Sequence, residues 1–400
     1  MIADLHCHYP MHLVHEELEP HNRLVSWWES VKSDLEQETF DLAAQLINNP
    51  GWGKGWRVDL DGLQAGGVGI VCSVLYWPVS ELIPGEHRGA HPGPASFEHL
   101  VAQLDDVERN LAEHDVLVVK RGADLDADRM RFVHCIEGGF HLGPDPAVMD
   151  DNVGLLAQRG IFYITLAHLF FRGVAANAAA VPPLSDELYN VIFPQPDAPG
   201  LTPLGRAAVT AMVAHNVVVD VSHMRQDALD ETFALLDELD PERRLPVIAS
   251  HVGARVADPD HQHYNLSPDT MAKIKQRDGV MGLILAQHQT GETDDAAASR
   301  EAVRAHITAF HDALGTHDHT AIGTDLDGFI KPTLAGLDNA RDLTLLEEWI
   351  REDFPDDAHA ILHGNAERVL RRVYALRDLA NDRGAQRMST TQPSLPESIS

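Results

Sequence analysis

Cysteine is sparse. Cys7, Cys72 and Cys135 are odd in number and lack CxxC or CxxxC spacing, which argues against a disulfide scaffold or a thiolate zinc site. Lysine is confined to Lys32, Lys54, Lys120, Lys273, Lys275 and Lys331. With 31 basic against 61 acidic residues, the formal net charge is −30. Such a surface repels phosphate backbones and anionic lipid, so neither nucleic acid nor a membrane is an expected partner. No apolar run approaches the ~20 residues of a membrane-spanning helix. The opening MIADLHCHYP has neither the basic n-region nor the apolar h-region of a secretory signal, so a cytoplasmic location is expected. Also missing are a GxSxG elbow, a GxxxxGK[ST] phosphate loop and a GxGxxG after a strand, which sets aside serine-hydrolase and nucleotide-cradle chemistry. The GGVGIV run at Gly66–Val71 precedes a strand and reads as a turn.

What is present is ordinary globular composition, 44% hydrophobic and 23% charged over 400 residues. Short aliphatic runs alternate with helical spacing. Strands are predicted at Ile2–Leu5, Val68–Leu75, Met130–Ile136, Ile161–Leu166, Val217–Val221, Val247–Ala249, Val280–Leu285 and Thr320–Ile322. Helices are predicted at Phe97–His114, Pro203–His215, Gln226–Leu239, Ser267–Arg277 and Arg300–Leu314. Strand–helix alternation of this kind predicts a parallel sheet closed as a (β/α)8 barrel, the TIM barrel, for which about 250 residues suffice. The remainder is expected as insertions at residues 9–60, holding Trp27, Trp28, Trp52 and Trp56, and at 172–203. A single domain over 1–381 would then end in a disordered tail from 382 to 400.

The polar residues fall where the strands end. His6 and His8 follow the first strand, Glu137 the third, His168 the fourth, His223 the fifth, His251 the sixth and Asp325 the eighth. A barrel opens all strand C-termini onto one face, so these residues would converge there. In an HxH pair the alternate residues share a side, which lets His6 and His8 reach one ion while Cys7 packs the other way. Imidazole and carboxylate suit zinc, with manganese or cobalt possible. Glu137 can offer an oxygen to each of two ions, with His223 and His251 on the second. Two ions ~3.5–4 Å apart acidify a shared water and stabilise an oxyanion. Asp325 would move the proton, and His168 suits oxyanion or substrate contact. A lone histidine at a strand end is more often structural; the case rests on all of these residues together. Asp327 competes with Asp325 in the DLD pair. His134 and His141 read as structural, and His261 and His263 as loop residues that could touch substrate.

The stretches DLHCHYP, DLDGLQAGGVGIVCSV, CIEGG, GIFYITLAH, GLTPLGRAAVTAM, VVVDVSHM, VIASHVGAR, IGTDLDG, AGLDN and HGNAERVL, in this order, resemble the membrane (renal-type) dipeptidases of peptidase family M19, in the amidohydrolase superfamily. The resemblance implies a (β/α)8 barrel with two zinc ions bridged by a glutamate. His6, His8 and Glu137 would bind one ion, and Glu137, His223 and His251 the other. His168 would polarise the substrate, Asp325 would be the acid/base, and the chain would form a homodimer. Two departures stand out. His8 replaces the family's usual aspartate, and Tyr264 stands before Asn265 where the family has an arginine that grips the substrate carboxylate. Leu285 and Ala286 also replace polar and aromatic residues of the family. A neutral phenol cannot make the charge-assisted pair of a guanidinium. The expected substrate is therefore a small molecule or short peptide lacking a free carboxylate at that end, unless Arg172 supplies the charge. An ester or lactone hydrolase, a single-metal lyase or decarboxylase, and a non-catalytic binding protein are the competing readings.

Overall fold

The computed structural model describes residues 1–11, 57–76, 95–169, 173–180, 185–192, 200–255, 263–328 and 332–390. The four tryptophans of the first expected insertion, Arg172 and His261 lie outside them. Among the described residues nine strands form one sheet: β1 (Ile2–Cys7), β2 (Val68–Leu75), β3 (Val116–Val118), β4 (Met130–Glu137), β5 (Tyr163–Thr165), β6 (Val218–Asp220), β7 (Val247–Val252), β8 (Met281–Leu283) and β9 (Thr320–Ile322). All pairings are parallel. β1 pairs with β2 on one side and β9 on the other, and a β2–β4 pairing completes the ring. The expected (β/α)8 TIM barrel is the observed fold.

β3 is the strand the sequence reading lacked. It pairs only with the first residues of β4, Met130 to Phe132, whereas β5 takes the far end at Ile136 and Glu137. It is therefore an annex at the strand N-termini, and the ring closes without it.

Residues alternate across each strand as the period of two requires. Ala3, Leu5, Ile70, Cys72, Val133, Cys135, Val218, Ile248, Val280 and Ala321 form the buried interior, while Val71, Phe132, Ile136 and Val219 pack outward in a separate cluster. Cys7 belongs to that outer cluster, as its place between two inward histidines demands.

Two strands break the alternation beside the expected site. Along β1, Asp4 pairs with Val71 and Cys7 with Ser73, one residue more on β1 than on β2. Along β7, Ala249 pairs with Met281 and Val252 with Leu283, again one residue more. A bulge re-aims the side chain that it frees. It lets His6 face inward next to Leu5, and His251 next to Ser250. Close backbone approach accompanies the second bulge: a Cβ on Gly282 or Gly323 would lie 2.0 or 1.8 Å from the Ser250 carbonyl oxygen, so only glycine fits there.

Helices surround the ring, among them α1 (Ala95–Leu111), α2 (Pro203–Ala214), α3 (Gln226–Leu239), α4 (Pro268–Gln276) and α5 (Ala296–Leu314). Thr202 and Ser267 cap α2 and α4, each with a proline in the first turn. The last helix, α6 (Asn365–Thr390), runs through the start of the segment expected as a disordered tail. The residues NDRGAQRM are poor in core formers but include good helix formers, and low apolar content alone does not end a helix. Among the described residues no helix is long and apolar enough to cross a membrane.

Candidate metal centre

Six strand ends supply one buried cluster. His6 and His8 come from the end of β1, Glu137 is the last residue of β4, and His168 follows β5. His223 follows β6, His251 lies in β7 and Asp325 follows β9. All seven side chains are buried. His223 and Asp325 have φ of 64° and 57°, in the left-handed region. Holding a non-glycine residue there costs about 1–2 kcal/mol, a strain that clusters at functional sites. The Asp325 backbone is held by its N–H donating to the His6 carbonyl at 2.8 Å.

The cluster is organised around Glu137. Its Oε1 lies 3.5 Å from His6 Nε2, 3.3 Å from His223 Nε2 and 3.6 Å from His251 Nε2. Its Oε2 lies 3.3 Å from His8 Nε2 and 3.1 Å from His168 Nε2. Asp325 Oδ1 lies 3.2 Å from His8 Nε2 and 3.7 Å from His6 Nε2. The imidazoles also face each other, His6 Nε2 to His8 Nε2 at 3.2 Å and His223 Nε2 to His251 Nε2 at 2.9 Å. The two Glu137 oxygens are not divided as the two expected ligand sets suggest, because His6 shares Oε1 with His223 and His251.

This arrangement fits divalent cations. Three overlapping groups offer donor atoms within 4.8 Å of one another: His6, His8 and Asp325; His6, Glu137 and His251; Glu137, His168 and His223. Glu137 Oε1 is buried and makes no hydrogen bond among the described residues. Five converging imidazole nitrogens and two carboxylates, with ring nitrogens aimed at ring nitrogens, make a donor set that satisfies a metal better than it satisfies itself.

Burial disfavours the charged forms of His251 and His6 and holds both well below the usual histidine range. It would raise Glu137, but His168 and His6 outweigh it and keep the carboxyl well below its usual range. Burial pushes the Asp325 carboxyl up to about 7.

Beneath the centre lie two buried aspartates that the sequence reading did not single out. Asp4 accepts from the backbone N–H of His6 at 3.1 Å and of Thr324 at 2.9 Å, and from Thr324 Oγ1 at 2.6 Å. Burial pushes it up to about 6. Asp220 accepts from Thr165, Ser222 and Ser250. Tyr163 Oη, 2.7 Å from His6 Nδ1, donates to the Leu5 carbonyl. Two of these residues carry a faint signal: Asp4 stands two before His6, and Asp220 three before His223. Tyr163 reads as any mid-strand aromatic.

The remaining candidates separate clearly. Asp327, also at positive φ, accepts from the Arg57 and Val58 backbone N–H groups at 3.0 Å, so it anchors the chain entering the barrel while Asp325 faces the histidines. Tyr264 is buried, donates to the His251 carbonyl at 2.9 Å, and sets its ring edge-on to His223 at 4.9 Å. His134 is buried on the outer side of β4, away from the centre, and His263 is exposed. His141 packs beside Phe140 with ring centroids 4.0 Å apart. Tyr76, unnoticed in the sequence, lies edge-on to His168 at 4.6 Å.

The family model for membrane dipeptidases, peptidase family M19, matches residues 1–383. Dipeptidase aclJ of Aspergillus oryzae is 26% identical over 248 residues, which are 62% of this chain and 52% of that protein. Dipeptidase tcpJ of Claviceps purpurea is 28% identical over 193 residues, 48% of this chain and 39% of that one. The chain thus spans about half or less of the length of these curated relatives. Among solved structures, the dipeptidase AC, a metallo peptidase of family M19, superposes with a TM-score of 0.66 at 20% identity, covering 93% of this chain and 98% of that one. A metallo peptidase from Rhodobacter sphaeroides, liganded with a phosphinate mimic of L-Ala-D-Ala, gives 0.65 at 20% identity over 93% and 99%. These two show the same fold.

Proposed function

Since the chain belongs to the membrane dipeptidase family, peptidase family M19, we propose that it is a binuclear metal-dependent hydrolase that cleaves an amide bond in a small substrate. The observation that carries this reading is the convergence of five strand-end histidines and Asp325 around Glu137. His6, His8 and Glu137 would hold one ion, with Asp325 Oδ1 also in reach of that group. Glu137, His223 and His251 would hold the other. Zinc suits this set best. When bound, such a pair supplies an acidified water and polarises the scissile carbonyl.

The chain's own residues do the rest. Asp325 Oδ1, on the His6 and His8 side of the cluster, takes the proton of the attacking water and returns it to the leaving amine. The same carboxyl thus serves as base and then acid. His168 Nε2 faces Glu137 from the side of His223, and it would donate to the developing oxyanion. Tyr264 has already given its proton to the His251 carbonyl, so it offers a substrate no charge and no free donor. Dipeptides blocked at the C-terminus should therefore be turned over at least as well as free ones.

The test is a panel of free dipeptides, their C-terminal amides and N-acyl amino acids, with and without chelation. Chelator-sensitive amide hydrolysis that favours the blocked substrates supports the reading. Cleavage of esters or lactones alone would replace the amide assignment. Turnover that survives removal of all metal would overturn it.

A further inference from the structure

One hydroxyl sits between histidines assigned to two different ions. Ser250 Oγ lies 2.9 Å from His6 Nδ1 and 2.8 Å from His251 Nδ1. The two rings are in contact, with centroids 3.8 Å apart. The same oxygen lies 2.6 Å from Asp220 Oδ2. Asp220 is buried and receives five donors: the backbone N–H groups of Ser222 and Ser250, and the hydroxyls of Ser222, Ser250 and Thr165.

A hydroxyl has one proton and two acceptor sites. With its proton committed to Asp220, Ser250 Oγ can only accept from the imidazoles, and it has two lone pairs for two rings. Each imidazole must then carry its proton on Nδ1, which leaves Nε2 bare and turned to Glu137. We infer that Asp220 and Ser250 form a shared tautomer lock that presents His6 and His251, one for each ion, in the ligating form before any metal arrives. Ser250 and Asp220 are positioning residues in this scheme, which rests on the proposed ligand roles of His6 and His251.

The lock is asymmetric. His6 Nδ1 has a second acceptor in Tyr163 Oη at 2.7 Å, whose own proton goes to the Leu5 carbonyl. For His251 Nδ1, Ser250 is the one partner found among the described residues. Loss of the serine hydroxyl should therefore free His251 while His6 stays fixed.

The tautomers can be read directly in the full chain, labelled with 15N-histidine and stripped of metal at mildly alkaline pH. Two-bond 1H–15N correlations distinguish a protonated Nδ1 from a protonated Nε2, and His6→Gln and His251→Gln assign the signals. Both rings should be protonated at Nδ1 in the unmutated chain. Ser250→Ala should release His251 only, Tyr163→Phe neither, and the double variant both. In zinc titrations Ser250→Ala should weaken the ion that His251→Gln also loses by about 10–100-fold, with the other ion within about threefold. A protonated Nε2 on either ring of the unmutated chain overturns the lock, even if the variants do not fold. So does a Ser250→Ala chain that keeps the His251 tautomer and both affinities. Failure of the unmutated chain to bind zinc would instead overturn the proposed function, while the tautomers still decide the lock.

Discussion

At the scale of single residues, Glu137 and Asp325 carry opposite burdens. Glu137 faces every histidine of the centre. Replacement by glutamine removes a charge and leaves imidazole nitrogens facing an amide, so metal retention should collapse before any question of rate arises. Among the described residues, Asp325 pairs with His6 and His8. Asp325→Asn keeps the shape and removes the proton carrier, so kcat should fall by about 10²–10⁴. The ion on the His223 and His251 side should be retained, as a metal count on the variant would show. An unchanged kcat would remove Asp325 from the chemistry. Both residues were visible in the sequence because each follows a strand and carries a charge. The residues that hold them were not. Asp4, Asp220 and Ser250 act through hydrogen bonds across strands far apart in sequence, and nothing in the string announces which strands are neighbours.

At the scale of elements, the eight ring strands and five of the helices around them were legible, since hydrophobic period is a local property. The bulges in β1 and β7 were not. A bulge is a mismatch between two paired strands and exists only once the pairing does. The HxH spacing gives a shared side for His6 and His8, but the turn of His6 beside Leu5 depends on β2. The last helix was not among the predicted elements. Its Ala366, Val369, Leu370, Val373 and Tyr374 join the barrel-interior cluster. Its arginines bond backbone carbonyls at the strand N-termini: Arg377 those of Ile161 and Asn216, Arg372 those of Arg243 and Arg244, and Arg368 those of Asp278 and Asp318. Helix α6 therefore plugs the end of the barrel opposite the centre. Arg377 is buried, and Arg377→Met would leave the carbonyls of Ile161, Phe162 and Asn216 without that donor. A loss of about 2–4 kcal/mol in urea unfolding is expected, with metal content unchanged. A loss below about 0.5 kcal/mol would show that the helix merely rests on the barrel.

At the scale of the whole molecule, pH sensitivity has an identifiable source outside the centre. His306 on α5 accepts from the Ala254 backbone N–H at 2.9 Å through Nδ1, and Nε2 faces the Thr290 carbonyl at 3.3 Å. It ties α5 to the loop after β7 as a neutral imidazole, and burial lowers it to about 4. The unfolded chain takes up this proton near 6.5 and the folded chain near 4. Stability from this group is thus complete above about pH 6.5 and is lost as pH falls toward 4, by up to about 1.4 kcal/mol per pH unit. His134, also buried and lowered to about 4, adds to the same window, so His306→Gln should reduce the slope there without abolishing it, and an unchanged slope would assign the effect elsewhere. The net charge of −30 acts over longer range. Added salt screens its self-repulsion and should raise the unfolding midpoint.

The central claim is that the barrel mouth holds two ions with Glu137 between them, and metal content per chain tests it most directly. Protein purified without added metal and then reconstituted should contain close to two divalent ions. Glu137→Gln, folded by circular dichroism, should contain fewer than one. A single ion in the unmutated chain, or two ions retained by Glu137→Gln, would contradict the account.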